Sequence, residues 1–186
     1  MSGRRSNDYV TRILDDPSQV DASAWNALLD AQAQPTLFMR HEYLVALHRS
    51  GSAVPRTGWS PRFITLWQGD RLCAATPAYL KAHSYGEYVF DWAWADAYAR
   101  HGLPYYPKLL VAVPFTPVPG PRLLVRPGAD QETARATLAA GLTAAAEQLG
   151  VSSLHVNFAH EEDMAVLEAA GLMRRCGIQY HWHNQG

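Results

Sequence analysis

Cysteine is scarce in this chain: two residues of 186, Cys73 and Cys176. There is no CxxC knuckle, and two isolated thiols cannot build a disulfide framework. Both read as buried thiols of strand-like segments in a reducing compartment. An excess of charge is missing too, since 16 Lys and Arg meet 17 Asp and Glu, a formal net charge of -1. That excludes the basic face that DNA or an anionic membrane surface needs. The nearest approach is Arg4-Arg5, on a terminal segment. No run reaches the roughly 18 apolar residues of a membrane span. The opening "MSGRRSNDYVTRILDDPSQ" lacks the apolar centre of a secretory signal. The expected address is the cytoplasm.

Apolar residues are plentiful at 48%, enough for a single domain to close a core. After a polar lead-in over residues 1–20, in which "YVTRIL" suggests a first strand, "DASAWNALLDAQ" spaces Ala24, Trp25, Leu28 and Leu29 as a helical stripe with Ser23 as its N-cap. A second helix is expected over residues 40–49, closed by Ser50-Gly51. "RFITLWQGDRLCAATPAYLKAH" reads as two strands joined at Gln68-Gly69-Asp70. "YVFDWAWADAYARHG" turns helical near Trp92 and stops at Gly102. "KLLVAVPF" is apolar without alternation, the pattern of a strand covered on both faces. Then come an alanine-rich helix over residues 130–150, a strand in "VSSLHVNF", a helix in "EEDMAVLEAAG" and a final strand in "RRCGIQYHWHN". Strand, helix, strand, helix, strand predicts a layered α/β sheet.

Chemistry concentrates in "KAHSYGEYVFD", directly after a strand. A strand ending in polar residues sets them at the rim of a sheet, where α/β sites form. Glu87 and Asp91 are candidate bases, acting directly or through a water, with His83 as partner and Ser84 beside them. The competing reading has both acids capping the helix near Trp92, or paired with Lys81 and Arg100. In "YYPK", Tyr105 and Tyr106 are candidate proton donors or a loop lid. Lys108 is a candidate phosphate or carboxylate ligand, or a solvated charge. Trp92, Trp94, Tyr88 and Tyr98 fit either a sugar- or peptide-binding groove or core. His155, Asn157, His181 and His183 do not form a recognised zinc pattern, and no metal is expected.

"LKAHSYGEYVFDWAWADAYARHGLPYYPKLLVAVPFTPVPGPRLL" resembles the signature block of the FemAB-like N-acyltransferases, and "GWSPRFITLW", "LHVNF" and "QYHWHNQG" extend the resemblance from about Leu37 to the end. These are bacterial proteins of tandem GNAT-like (acetyltransferase-type) domains associated with peptidoglycan biosynthesis. The resemblance implies a single GNAT-like domain over residues 1–186, an α/β mixed sheet flanked by helices with its last strand region incomplete. It implies transfer of an acyl or aminoacyl group to an amine, on a cell-wall precursor or another small acceptor. The donor would be acyl-CoA or an aminoacyl-tRNA, although near-neutral charge disfavours tRNA contacts by this half.

Two departures qualify what is implied. Members of that family are about twice as long. This chain is therefore expected to be the N-terminal half of a two-domain protein, inactive alone without its second GNAT-like half. The Gly-rich turn that cradles pyrophosphate is also replaced by "PFTPVPGPRLLVRPGADQE". Proline removes the amides such a cradle needs. Arg122 and Arg126 are the candidate anion ligands in its place. The alternative implied is a catalytically silent module that binds the acceptor.

Overall fold

The structure, a computed structural model, describes residues 9–128, 130–180 and 182–185. Most of the polar lead-in, Arg4-Arg5 and His181 lie outside the described residues. Among the described residues, eight strands form two four-stranded sheets. The first holds β1 (Val10–Leu14), β3 (Phe63–Gln68), β4 (Arg71–Thr76) and β7 (Leu124–Val125), in the order β1-β3-β4-β7. The second holds β2 (Trp59–Pro61), β5 (Ala78–Lys81), β6 (Lys108–Val111) and β8 (Leu154–Val156), in the order β2-β5-β6-β8. The chain crosses between the sheets at Arg62 and again at Pro77, which has no amide to give a ladder. Among the described residues, the named strands pair antiparallel except β6 with β8, which are parallel, as is the isolated Gly120–Ala159 bridge.

Alternation along the strands divides the core in two. Helices α1 (Ala22–Asp30) and α2 (His41–Arg49) bring Trp25, Leu28, Leu29 and Leu44 against Phe63, Tyr79 and Leu110. Helices α4 (Gln131–Gln148) and α5 (Glu161–Ala169) bring Leu138, Leu142 and Leu167 against Ile64, Ala78, Leu109 and Val111. Strand β6 is thus buried along its whole length, as its unbroken apolar run predicts. The cap of α1 differs from expectation. Asp21 accepts from the Ala24 amide at 2.9 Å, and Ser23 donates to Asp21 instead of capping. A carboxylate two residues earlier meets the free amides of the first turn better.

Two further expectations fail. The sequence predicts a last strand over residues 174–184, yet the described part of this segment joins no ladder and leaves Ile178, Tyr180 and Trp182 exposed. Side chains tether it instead: Arg174 pairs with Glu161, and Gln179 donates to the Pro117 carbonyl. Alternation supplies a pattern, and a strand also needs a neighbour with free backbone groups. Cys176 rides on this segment and is exposed, whereas Cys73 is buried in β4. Helix α3 (Trp92–Arg100) forms where the sequence predicts it, but buries none of its residues.

Candidate functional site

Lys81 closes β5 and Lys108 opens β6, and the two are direct partners in that antiparallel pair. By alternation both side chains share the face of Tyr79 and Leu110. The loop 82–91 folds over them and supplies the opposite charges. Lys108 Nζ donates to Glu87 Oε2 at 2.8 Å and also to Asp91 Oδ2. Asp91 accepts as well from the hydroxyls of Tyr105 at 2.9 Å and Tyr106 at 3.1 Å. Tyr106 reaches Ser84 Oγ at 2.9 Å. Lys81 Nζ donates to the Tyr85 carbonyl at 3.2 Å and sits 3.7 Å from the centre of the Trp59 indole. His83 stands at the margin, its Nδ1 accepting from the Tyr85 amide at 3.2 Å while its ring packs on Gly58.

The predicted residues from His83 to Lys108 therefore gather in one network. Its centre is closed: Lys81, Glu87, Asp91 and Lys108 are each at most 4% exposed. Lys108, read from the sequence as an anion ligand or a solvated charge, is occupied by two carboxylates. The two acids meet on that ammonium and not on an open hollow. They do not cap α3, and Arg100 pairs with Asp96 instead.

Electrostatics separate the two acids. Burial pushes both carboxyls up. For Asp91 the Lys108 bond and charge, with bonds from Ser84 and Tyr105, more than offset burial and hold it below the ordinary carboxylate value. For Glu87 burial outweighs the pull of Lys108 and raises it, and its Oε1 has no partner among the described residues. Lys81 is pulled down to about 8 by burial, against the opposing charge of Glu87. Burial and the Asp91 acceptor raise Tyr105, and burial raises Tyr106.

The network also lies at one end of the sheet. Tyr105 and Tyr106 precede β6 and Lys108 is its first residue, so the ring of bonds around Asp91 collects at the amino end of the parallel β6–β8 pair. Ligands of α/β sheets sit beyond the carboxyl ends. There the chain leaves β6 and β8 through Phe115 and Phe158, both with left-handed backbones at φ 60° and 55°. Such strain collects at functional sites. Beside Phe115, Thr116 Oγ1 donates to the Pro114 carbonyl and meets the Tyr43 hydroxyl at 3.0 Å. Sequence reasoning did not single out Tyr43, Phe115 or Thr116. The one available signal was the Pro114–Pro117 bracket, which marks a forced turn.

Arg122 belongs to neither group. It is fully buried, with Nε donating to the Asn157 carbonyl at 2.9 Å and Nη2 to the Val118 carbonyl at 2.7 Å. Asp163 Oδ2 accepts from the backbone amides of Arg122 and Leu123. The expected anion-binding fork is thus turned inward, and burial lowers its pKa to about 10. Arg126 is turned inward too, donating to the Leu72 carbonyl at 3.0 Å. His155 is held by Ser153 Oγ at 2.9 Å and pulled down to about 4, chiefly by burial.

A family model described as FemAB-like, peptidoglycan biosynthesis/recognition, matches residues 16–186. The chain belongs to the FemAB-like family. No curated protein matches it. The crystal structure of aminoglycoside antibiotic 6'-N-acetyltransferase AAC(6')-Ih from Acinetobacter baumannii is similar, at a TM-score of 0.50 and 12% identity. The match covers 96% of this chain and 99% of that one. At such identity the likeness shows the fold, a mixed α/β domain of the GNAT type flanked by helices. Among the described residues of this FemAB-like chain, no helix is long and apolar enough to cross a membrane.

The acyl-CoA that this fold implies needs a row of free amides at the start of the helix that follows the central strand. Here that helix, α4, follows Pro127 and opens on Asp130 with Glu132 in its first turn, two negative charges where a diphosphate would lie. The strands ahead of it are stitched by Arg122, Asp163 and the Gly120–Ala159 bridge. These residues do not fit a bound diphosphate.

Proposed function

We propose that this FemAB-like chain recognises the amine-bearing acceptor of an N-acyl or aminoacyl transfer in peptidoglycan biosynthesis, and does not itself perform the transfer. One observation carries the reading: both candidate bases are closed around Lys108, with no more than 4% of either residue exposed. A base in that state cannot reach an acceptor amine. The acceptor would lie at the carboxyl ends of β6 and β8, against Phe115, Thr116 and Tyr43. The half-buried Tyr43 hydroxyl, held by Thr116, can orient a polar group there while the ring takes an apolar one. The family description supports a cell-wall precursor as its source.

Calorimetry with a synthetic muropeptide bearing a free amine, and separately with acetyl-CoA, tests this. Muropeptide binding that weakens tenfold or more in Phe115→Ala, with no heat from acetyl-CoA, is the expected result. A second reading, transfer by this chain itself, is favoured by the raised pKa and free Oε1 of Glu87. Acetyl-CoA binding together with turnover lost in Glu87→Gln would establish that reading and overturn the first.

A further inference from the structure

Of the chain's 16 Lys and Arg residues only Lys81 and Lys108 are lysine, and both are buried beneath loop 82–91. That loop is held by charge at Glu87 and Asp91, which meet Lys108, and at the Tyr85 carbonyl, which accepts from Lys81. Its backbone contributes little. Among the described residues, the stretch from His83 to Phe90 makes one backbone–backbone bond to a segment outside the loop: the Phe115 amide donates to the Gly86 carbonyl at 3.0 Å. So few bonds mark a segment that opens locally at low cost. Glu87 Oε1, also in this stretch, has no partner among the described residues.

Phe115 holds the loop in a second way, through its ring. The ring lies so close on Gly86 that an added Cβ there would stand 2.7 Å from two of its carbons. It also packs on Trp59 with centroids 5.5 Å apart, and Trp59 in turn carries the Lys81 ammonium at 3.7 Å. One residue thus touches both the loop and the aromatic floor of the lysine pair.

The hold is mutual. Phe115 sits at φ 60°, a costly backbone for a bulky residue that persists only while its surroundings keep it there. The Gly86 carbonyl supplies part of that restraint. Closed loop and seated ring therefore belong to one state, and opening the loop frees the ring to leave it. The ring is still 40% exposed, so a ligand can reach the part that Gly86 and Trp59 leave uncovered. A ligand that binds only the seated ring favours the closed loop by the same factor by which the closed loop favours the ligand, commonly about 5–150-fold.

We infer that Phe115 latches loop 82–91 over the two lysines, so that a ligand seated on its ring holds the loop shut. The ligand's part rests on the reading that Phe115 walls the acceptor site, and the latch stands without it. Trace acetic anhydride tests both, since acylation of Lys81 and Lys108, located by peptide mass, requires the loop to open. Rates are read against N-acetyl-lysine in the same tube, and the thiol of Cys73, buried in β4, reports unfolding of the whole chain. Phe115→Ala and Gly86→Ala are each expected to speed acylation at least tenfold while Cys73 stays protected. Combined, they should speed it by less than the product of the two, because both act on one contact. Saturating muropeptide with a free amine is expected to slow the wild-type rate at least tenfold. Lysines indifferent to Phe115→Ala, or lysines and Cys73 that open together, overturn the latch. A muropeptide that binds by calorimetry without slowing acylation overturns the ligand's part alone. One that gives no heat overturns the acceptor reading and the ligand's part with it, and the latch then stands or falls on the ligand-free variants.

Discussion

Lys81 and Lys108 stand directly opposite each other in the antiparallel β5–β6 pair, and both are buried. Like charges at facing positions repel. The sheet tolerates them because loop 82–91 delivers Glu87 and Asp91 to the same spot. Two buried anions facing two buried cations make the loop a structural part of the sheet, since the loop's acids are what let the lysines stay buried. The "KAHSYGEYVFD" segment is thus dense in ionisable groups because it closes a charged seam.

The two acids should not weigh equally. Asp91 accepts from Lys108, Tyr105 and Tyr106, and its pKa is lowered despite burial. Glu87 accepts from Lys108 alone, and its pKa is raised. Asp91→Ala is expected to cost about 3–5 kcal/mol of stability. Glu87→Gln should cost on the order of 1 kcal/mol. Urea unfolding at pH 7 measures both, and equal losses would contradict the asymmetry.

Lys81 gives a pH signature. Its native pKa is about 8, below the ordinary 10.5 that the unfolded chain keeps. Between those values the unfolded state binds more protons, so stability rises with pH across that window. Below about 8 both states are protonated and the slope from this residue vanishes. Lys81→Met should remove the rise, seen by comparing urea midpoints at pH 7.5, 9 and 10.

Arg122 should behave as a structural residue. Arg122→Ala removes its bonds to the Asn157 and Val118 carbonyls and leaves Asp163 buried with less opposing charge. The expected loss is about 3–5 kcal/mol, a fall in Tm on the order of 10 °C. An unchanged Tm with loss of anion binding would return Arg122 to the ligand role.

Gly86 holds the loop against the sheet. Its φ is +81°, and an added Cβ would stand 2.7 Å from Phe115 ring carbons. Gly86→Ala is expected to cost about 1–3 kcal/mol and to open loop 82–91 to limited proteolysis. Gly69→Ala, at φ +58° with nothing within 4 Å, supplies the control: backbone strain without a clash and no new cleavage in that loop.

Most elements were legible because their signals are local. The stripe of Trp25, Leu28 and Leu29, the Gln68-Gly69-Asp70 turn and the unbroken run of β6 each fix a conformation through neighbours in sequence. The gathering of Glu87, Asp91, Tyr105, Tyr106 and Lys108 was legible as well, since these residues lie within 22 positions of one another. What they do there was not. Whether a carboxylate faces solvent or an ammonium depends on the β5–β6 register, which no local pattern states. The last expected strand failed for a related reason, since residues 174–184 carry the alternation but their described part finds no free ladder.

Composition and spacing alone determined an α/β chain with a strand buried on both faces, no excess of charge and one polar loop set beside an apolar core. Those properties follow from period, propensity and counted charge, which belong to the chain in any conformation. Tertiary structure alone decided that the loop's acids close on Lys108, that Arg122 turns inward, and that α3 keeps its rings in water. Each depends on which distant groups meet, and the strength of a buried charge or an exposed ring is set by those neighbours.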